Sequence, residues 1–429
     1  MFSSNSNDSA VKNTTHKVVL PFYLYAALSF LLATILLFFS TAAFTQHYFH
    51  PQILAITHVM ALGWGTMIIL GASHQLVPVL IEGKLYSVTL AYASFVLAAT
   101  GIPLLVYGFY FFNLGWPAQW GGILINLSIL SYLVNLAVSM AKSESENVHA
   151  VFVFSGALWL LLTTIVGLIL LYNFTATILP NDSVHYLPLH AHMGIIGWFL
   201  LLVMGVGSRL IPMFLISKYS NTKLLWVIFM LINGGLLTFI ISFLYFPKNY
   251  YYLLPVAAIL MAIGLFGYYC YQCYQQRIRK RVDEQMKISL LSVSMMLLPI
   301  MLLFIIIGLL LFGIVKVNLV IVYGFVVFFG WITALIFGMT FKTLPFIVWN
   351  KVYRLQAGLG KTPNPKDLFN DKVFSLMSIV YLAGFTLFVF GIISKNILVL
   401  NFATIFLLIA ALLYNWNVIN LLLHKRVRP

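Results

Sequence analysis

HVMALGWGTMIILGASHQLVP, residues 58–78, reads as the middle of a long apolar helix, and its frame returns twice along the chain. Residues 192–212 read HMGIIGWFLLLVMGVGSRLIP, and residues 325–345 read FVVFFGWITALIFGMTFKTLP. Each stretch carries a Gly-Trp pair, a second glycine seven residues after the tryptophan and a proline seven beyond that. The three tryptophans, Trp64, Trp198 and Trp331, are spaced 134 and 133 residues apart. A fixed long period of this kind marks internal repetition. The expected repeats cover residues 18–140, 149–275 and 286–423, each holding four helices.

The surrounding sequence sets the solvent of these helices. Of 429 residues, 62% are hydrophobic and 8% are charged, against about 25% charged in soluble chains. Apolar runs recur throughout, each long enough to cross roughly 30 Å of hydrocarbon as a helix. The runs are continuous, which excludes the alternating strands of a membrane β-barrel. The expected fold is therefore all-α and polytopic, with twelve transmembrane helices at about 18–41, 50–80, 86–109, 116–140, 149–172, 187–217, 223–246, 250–275, 286–313, 318–349, 372–394 and 397–423. Met1 to His16 is polar and lacks the layout of a cleaved signal, so the first apolar run is expected to stay in the membrane.

The net charge of +15 needs no nucleic-acid partner, because the positive residues fall where they set membrane orientation. With the N-terminus in the cytoplasm, only Lys248, Lys316 and Lys395 of the 24 lysines and arginines fall outside. The densest inner segment is Arg277, Arg279, Lys280 and Arg281. Twelve crossings put both termini in the cytoplasm, in three parallel four-helix units about a pseudo-threefold axis along the membrane normal. The loops are short, the longest polar one running from Asn350 to Asp371, so no soluble domain is expected. The partner of the surface is expected to be the lipid bilayer.

Glycines eight apart, such as Gly63 and Gly71, lie within about 80° of each other around a helix and permit close approach by another helix or a flat cofactor. Gly63 and Gly197 are accordingly candidate walls of a cofactor site. Pro78, Pro212 and Pro345 lie near the cytoplasmic helix ends, where a lost backbone bond is easiest to absorb.

Chemistry-bearing side chains in the apolar runs are mostly histidines. Six of the ten, His47, His50, His58, His185, His190 and His192, fall in or just before the outer parts of the second and sixth helices. His58 and His192 occupy the same position of the repeated frame, and Phe325 takes it in the third. An imidazole inside a membrane helix is costly unless paired. Two readings are open: a packing device bonded to a backbone carbonyl, or a ligand of haem iron or copper. His190 and His192 point about 200° apart on a helix, so they are not expected on one ion. His190 and His185 would then lie at the outer surface, against a haem propionate or a weakly held metal. His74 lies about 24 Å along the helix from His58, too far to share a metal with it.

The remaining polar signals are weaker. Cys270 and Cys273 form a single CxxC, expected as two free thiols. Gln75, Arg209 and Lys342 stand eleven residues after the three tryptophans and are expected to anchor the inner headgroup layer. None of the nine acidic residues falls in the middle of a helix, which disfavours carboxylate-coupled transport or proton pumping.

On Thr57-His58 through Pro78, and Leu189-His190-Ala191-His192 through Pro212, the chain resembles the haem-copper oxidase subunit I superfamily, and also its divergent NnrS-like branch. The resemblance implies twelve helices in three pseudosymmetric units, a low-spin haem ligand matched by His58 and a copper ligand matched by His192. It also implies respiratory subunits or a small c-type cytochrome as partners. The pattern then breaks: residues 223–274 and 317–350, where that family keeps further metal ligands, contain no histidine. Standard oxygen reduction is not expected. A haem-binding relative in respiratory electron transfer or nitric oxide metabolism is, with a carrier of haem, copper or a small solute, or a structural or assembly subunit, as alternatives. On the orientation, a reporter fused to either terminus should be inaccessible to an impermeant label in intact cells; external labelling of either would refute it.

Overall fold

The computed structural model describes residues 15–81, 83–143, 147–246, 248–278, 283–356 and 362–426. Twelve helices in it are long and apolar enough to span a membrane: α1 His16–Phe39, α2 Pro51–Leu80, α3 Val88–Tyr110, α4 Trp116–Ala141, α5 Val148–Ala176, α6 Leu187–Leu215, α7 Thr222–Tyr245, α8 Asn249–Gln275, α9 Glu284–Leu311, α10 Val317–Gln356, α11 Asp371–Ser394 and α12 Ile397–Leu422. The protein is a polytopic, helical membrane protein. Arg279, Lys280 and Arg281, and the acidic residues Asp8, Glu82, Glu144 and Glu146, lie outside the described residues. The other acidic residues sit at helix starts or between helices.

Helix starts follow side-chain capping. Asn147, Asn221 and Asn396 accept from the amides of Ala150, Leu224 and Val399, and Asp283 accepts from that of Met286, each satisfying a donor the first turn leaves open. One boundary departs from expectation. Helix α10 runs on to Gln356, and the Trp349 indole within it donates to the Pro363 carbonyl at 2.6 Å.

Helices α2, α6 and α10 are the most buried and carry the three repeated stretches. In each, the segment around the tryptophan widens into π-helical turns: Val59–Thr66, Met193–Leu200 and Val326–Ile332. Widened turns shift carbonyls out of the regular ladder. Thr66 and Thr333 donate to such carbonyls five residues back, on Ala61 and Phe328. The same hydroxyls accept across the helix interfaces. Trp198 Nε1 donates to Thr66 Oγ1 at 3.0 Å, and Trp64 Nε1 donates to Thr333 Oγ1 at 3.1 Å. Two residues after Trp198 the chain has Leu200, and the buried Trp331 Nε1 has no partner. The tryptophans thus link α6 to α2 and α2 to α10, and the third link is missing.

The glycines of the frame seat the preceding helices. A Cβ on Gly71 would fall 2.6 Å from Phe22 of α1; Gly205 meets Phe152 of α5 and Gly338 meets Ser289 of α9 in the same way. Gly63 and Gly197 face Ser29 of α1 and the Trp159 ring of α5. Each of these glycines thus stands where a neighbouring helix packs close. Three further glycines, Gly101, Gly235 and Gly384, face residues 23 positions on, Leu124, Ala258 and Leu407, within the pairs α3/α4, α7/α8 and α11/α12.

At the proline end of the bundle Lys342 is paired with Asp283, and its ammonium lies 5.4 Å from the Phe214 ring centre. The expected anchoring role is corrected for this lysine: its charge is met by a carboxylate brought in at the start of α9. Arg209 is exposed, as anchoring requires, and Gln75 is half-buried. Cys270 and Cys273 are buried free thiols on the inward face of α8.

An interhelical hydrogen bond in a bilayer stabilises by about 0.6 kcal/mol on average, whereas a buried donor left unmatched costs about 1–3 kcal/mol. Thr333→Val should therefore lower the thermal midpoint of the detergent-solubilised protein, and Thr333→Ser, which keeps the hydroxyl, should retain most of it. Equal midpoints for the two variants would show that the Trp64 bond contributes nothing.

Candidate functional site

A cavity of about 620 Å³ lies at the histidine end of the bundle, between α2, α6 and α10 and bounded further by α3–α5 and α7–α9. Its walls are largely aliphatic and aromatic. His58, His190 and His192 are its histidines, and Lys316 is the one charged residue among its described lining residues.

Each imidazole is held in one orientation by a backbone carbonyl. His58 Nδ1 bonds the Leu54 carbonyl at 2.8 Å, and His192 Nδ1 bonds that of Pro188 at 2.7 Å, both one turn back on their own helices. His190 Nδ1 reaches across to the Thr163 carbonyl on α5 at 3.0 Å. A carbonyl only accepts, so Nδ1 carries the proton in all three rings and Nε2 keeps its lone pair in the neutral tautomer. The bonds that fix the rings thus leave a nitrogen of each able to coordinate, which is how metal-binding histidines are oriented by their surroundings. His192 Nε2 is buried and unpartnered. No partner for the Nε2 atoms of His58 and His190 occurs among the described residues.

The two faces of α6 give the cavity two sides. On one, His190 lies with His58, ring centres 6.3 Å apart and planes 18° from parallel, and His58 also packs on Phe109 at 4.5 Å. On the other, His192 packs against Phe239 at 5.2 Å and nearly parallel to Tyr323 at 5.8 Å. The sequence-based angle between His190 and His192 is thus retained, but the expected surface position of His190 is corrected. Its ring is half-buried in the cavity wall, where Gly167 on α5 leaves space for it: a Cβ there would lie 2.8 Å from His190 Cε1. Gly167, Thr163 and Tyr323 were not singled out from sequence. Nothing in local spacing relates them to His190 or His192, since they arrive from other helices.

The other predicted residues stand apart. His185 is exposed, its ring against Tyr186 and Phe243. His47 and His50 accept from the amides of Phe49 and Gln52 in the turn that leads into α2, and none of these three lines the cavity. Gly63 and Gly197 lie outside the lining as well. His74 is buried far along α2, bonded to the Leu70 carbonyl at 2.7 Å. In place of a third imidazole at the repeated position, Phe325 stacks on Phe388 at 4.3 Å and Phe329 at 4.7 Å. Among the described residues, no group of three or more histidines, cysteines or carboxylates could share a metal ion.

No model of a known protein family matches the chain, and no curated protein matches it either. The site itself carries a testable signature of purpose. A buried polar atom without a partner costs about 1–3 kcal/mol, and an apolar ring at residue 192 would remove that cost between Phe239 and Tyr323. His192→Phe should leave the thermal midpoint of the ligand-free protein unchanged or raise it. A marked fall would assign His192 to the packing of the fold.

Proposed function

We propose that the protein holds haem in its membrane cavity and serves respiratory electron transfer or nitric oxide metabolism. We take the chain as a relative of haem-copper oxidase subunit I that lacks the full ligand set of that enzyme. The observation that carries this reading is the set of three imidazoles with Nδ1 fixed on carbonyls and Nε2 left over in one apolar cavity of about 620 Å³. Haem is an apolar plate with acidic tails. The cavity offers it aliphatic and aromatic walls, imidazole nitrogens, and Lys316 as a counter-charge for the tails. The Nε2 atoms left over on its walls are polar atoms available to such a ligand.

When bound, haem would supply a one-electron couple and an affinity for diatomic gases. The chain's own residues orient the imidazoles, exclude water through the surrounding Phe, Leu and Ile side chains, and hold Lys316 at one edge. Helices α7, α8 and α10 contain no histidine, so an iron-copper pair and four-electron oxygen reduction are not part of the proposal. Copper remains a candidate only for the histidines named.

The same reading includes three pseudosymmetric four-helix units, both termini cytoplasmic, in a bacterial inner membrane. Supporting the repetition are the π-helical turns at matching positions, the tryptophan-to-threonine bonds between α2, α6 and α10, and the glycines that meet Phe22, Phe152 and Ser289 at matching positions. The histidine end is then the outer end, accessible to a small c-type cytochrome or another respiratory subunit.

Absorbance of the purified protein tests the assignment. A Soret band is expected in the wild type and is expected to vanish in a variant with alanine at residues 58, 190 and 192. Absence of the band in wild type after growth with added haem, or its persistence in the triple variant, would overturn the haem reading. Reversible copper or solute binding without a chromophore would favour a carrier instead.

A further inference from the structure

We infer that His58 of α2 and His190 of α6 form one cross-helix pair that clamps a single metal centre between their Nε2 atoms, the iron of a haem, while His192 stands outside that pair. The inference rests on the haem reading and adds to it the identity of the ligands.

Four observations converge on the pair. Both rings spend Nδ1 on a carbonyl, so only Nε2 remains for a ligand. The ring centres are 6.3 Å apart. A metal bonded at about 2 Å to one nitrogen of each ring, with that nitrogen about 1 Å from its ring centre, requires close to this separation when the two bonds are nearly opposed. The ring planes are within 18° of parallel, an arrangement that two opposed axial imidazoles can adopt. Finally, the supports come from different helices: Leu54 fixes the His58 ring from α2, and Thr163 fixes the His190 ring from α5, with Gly167 leaving room beside it. The pair is therefore set by the packing of three helices rather than by one flexible loop.

His192 lies on the opposite face of α6, against Phe239 and Tyr323. Residues two apart on a helix diverge by about 200°, so His192 cannot replace His190 without rotation of α6. Helix α10 brings no imidazole towards the pair, since Phe325 is engaged with Phe329, Phe385 and Phe388. A haem held by both imidazoles would be low-spin and suited to electron transfer rather than to binding a gas.

The test uses the full-length protein in detergent, loaded with ferric haemin and read by absorbance, electron paramagnetic resonance and metal analysis. Wild type should show a low-spin, six-coordinate spectrum. His58→Ala and His190→Ala should each convert it to a high-spin form with the Soret band retained, and His192→Ala should leave it low-spin. Adding free imidazole to His190→Gly should restore the low-spin signal, which a merely structural role for the residue would not allow. Gly167→Leu, which crowds the ring and leaves His190 in place, should also give the high-spin form.

A low-spin signal that survives His190→Ala, or one lost in His192→Ala, overturns the pair and leaves the haem reading intact. A wild type that takes up no haem but holds one copper, lost in His58→Ala and in His190→Ala alike, keeps the pair and overturns haem as its ligand. A wild type that binds neither overturns both.

Discussion

The buried indole N–H groups of Trp64 and Trp198 constrain the whole bundle. Inside a bilayer no water can meet them, so each must find an acceptor on another helix. Both find a threonine hydroxyl, Thr333 on α10 and Thr66 on α2, and each of those hydroxyls is itself aimed by its bond to a carbonyl freed in a π-helical turn. The position and rotation of α2, α6 and α10 are thereby set together. Everything at the histidine end follows from that, because His58, His192 and Phe325 stand six residues before their tryptophans on the same three helices.

The cavity is a consequence of what those helices bring to one level. Two contribute imidazoles and one contributes a phenylalanine stack, so the polar groups gather around α6 and the opposite wall is apolar. The carbonyl bonds at Leu54, Thr163 and Pro188 remove one nitrogen of each ring from consideration and leave the other. A histidine used only as a packing device would more economically satisfy both nitrogens. The buried Nε2 of His192, with no partner, does not fit that use.

Much of the architecture was legible in the sequence because the bilayer imposes a simple rule on it. All twelve helices were found within a few residues, apart from the extension of α10 to Gln356. His58 and His192 were also singled out from their place in a repeated frame, and both line the cavity. What stayed hidden depends on neighbours distant in sequence. The inward position of His190 requires Gly167 and Thr163 of α5, and the pairing of Lys342 requires Asp283 at the start of α9. The close approach of α1 and α5 to Gly63 and Gly197 likewise depends on Ser29 and Trp159, which lie on other helices.

The tryptophan bonds also impose an order on biogenesis. A chain threaded into the membrane from its N-terminus has Thr66 already in place when α6 arrives, so the Trp198 bond, 132 residues long in sequence, closes midway. Trp64 must wait for Thr333, 269 residues later. Until α10 enters, the indole of α2 is a donor without an acceptor, and the seam between α2 and α10 stays open. That seam borders the cavity. A nascent chain therefore passes through an interval in which α2 and α6 are already joined while the side that α10 will close is still open.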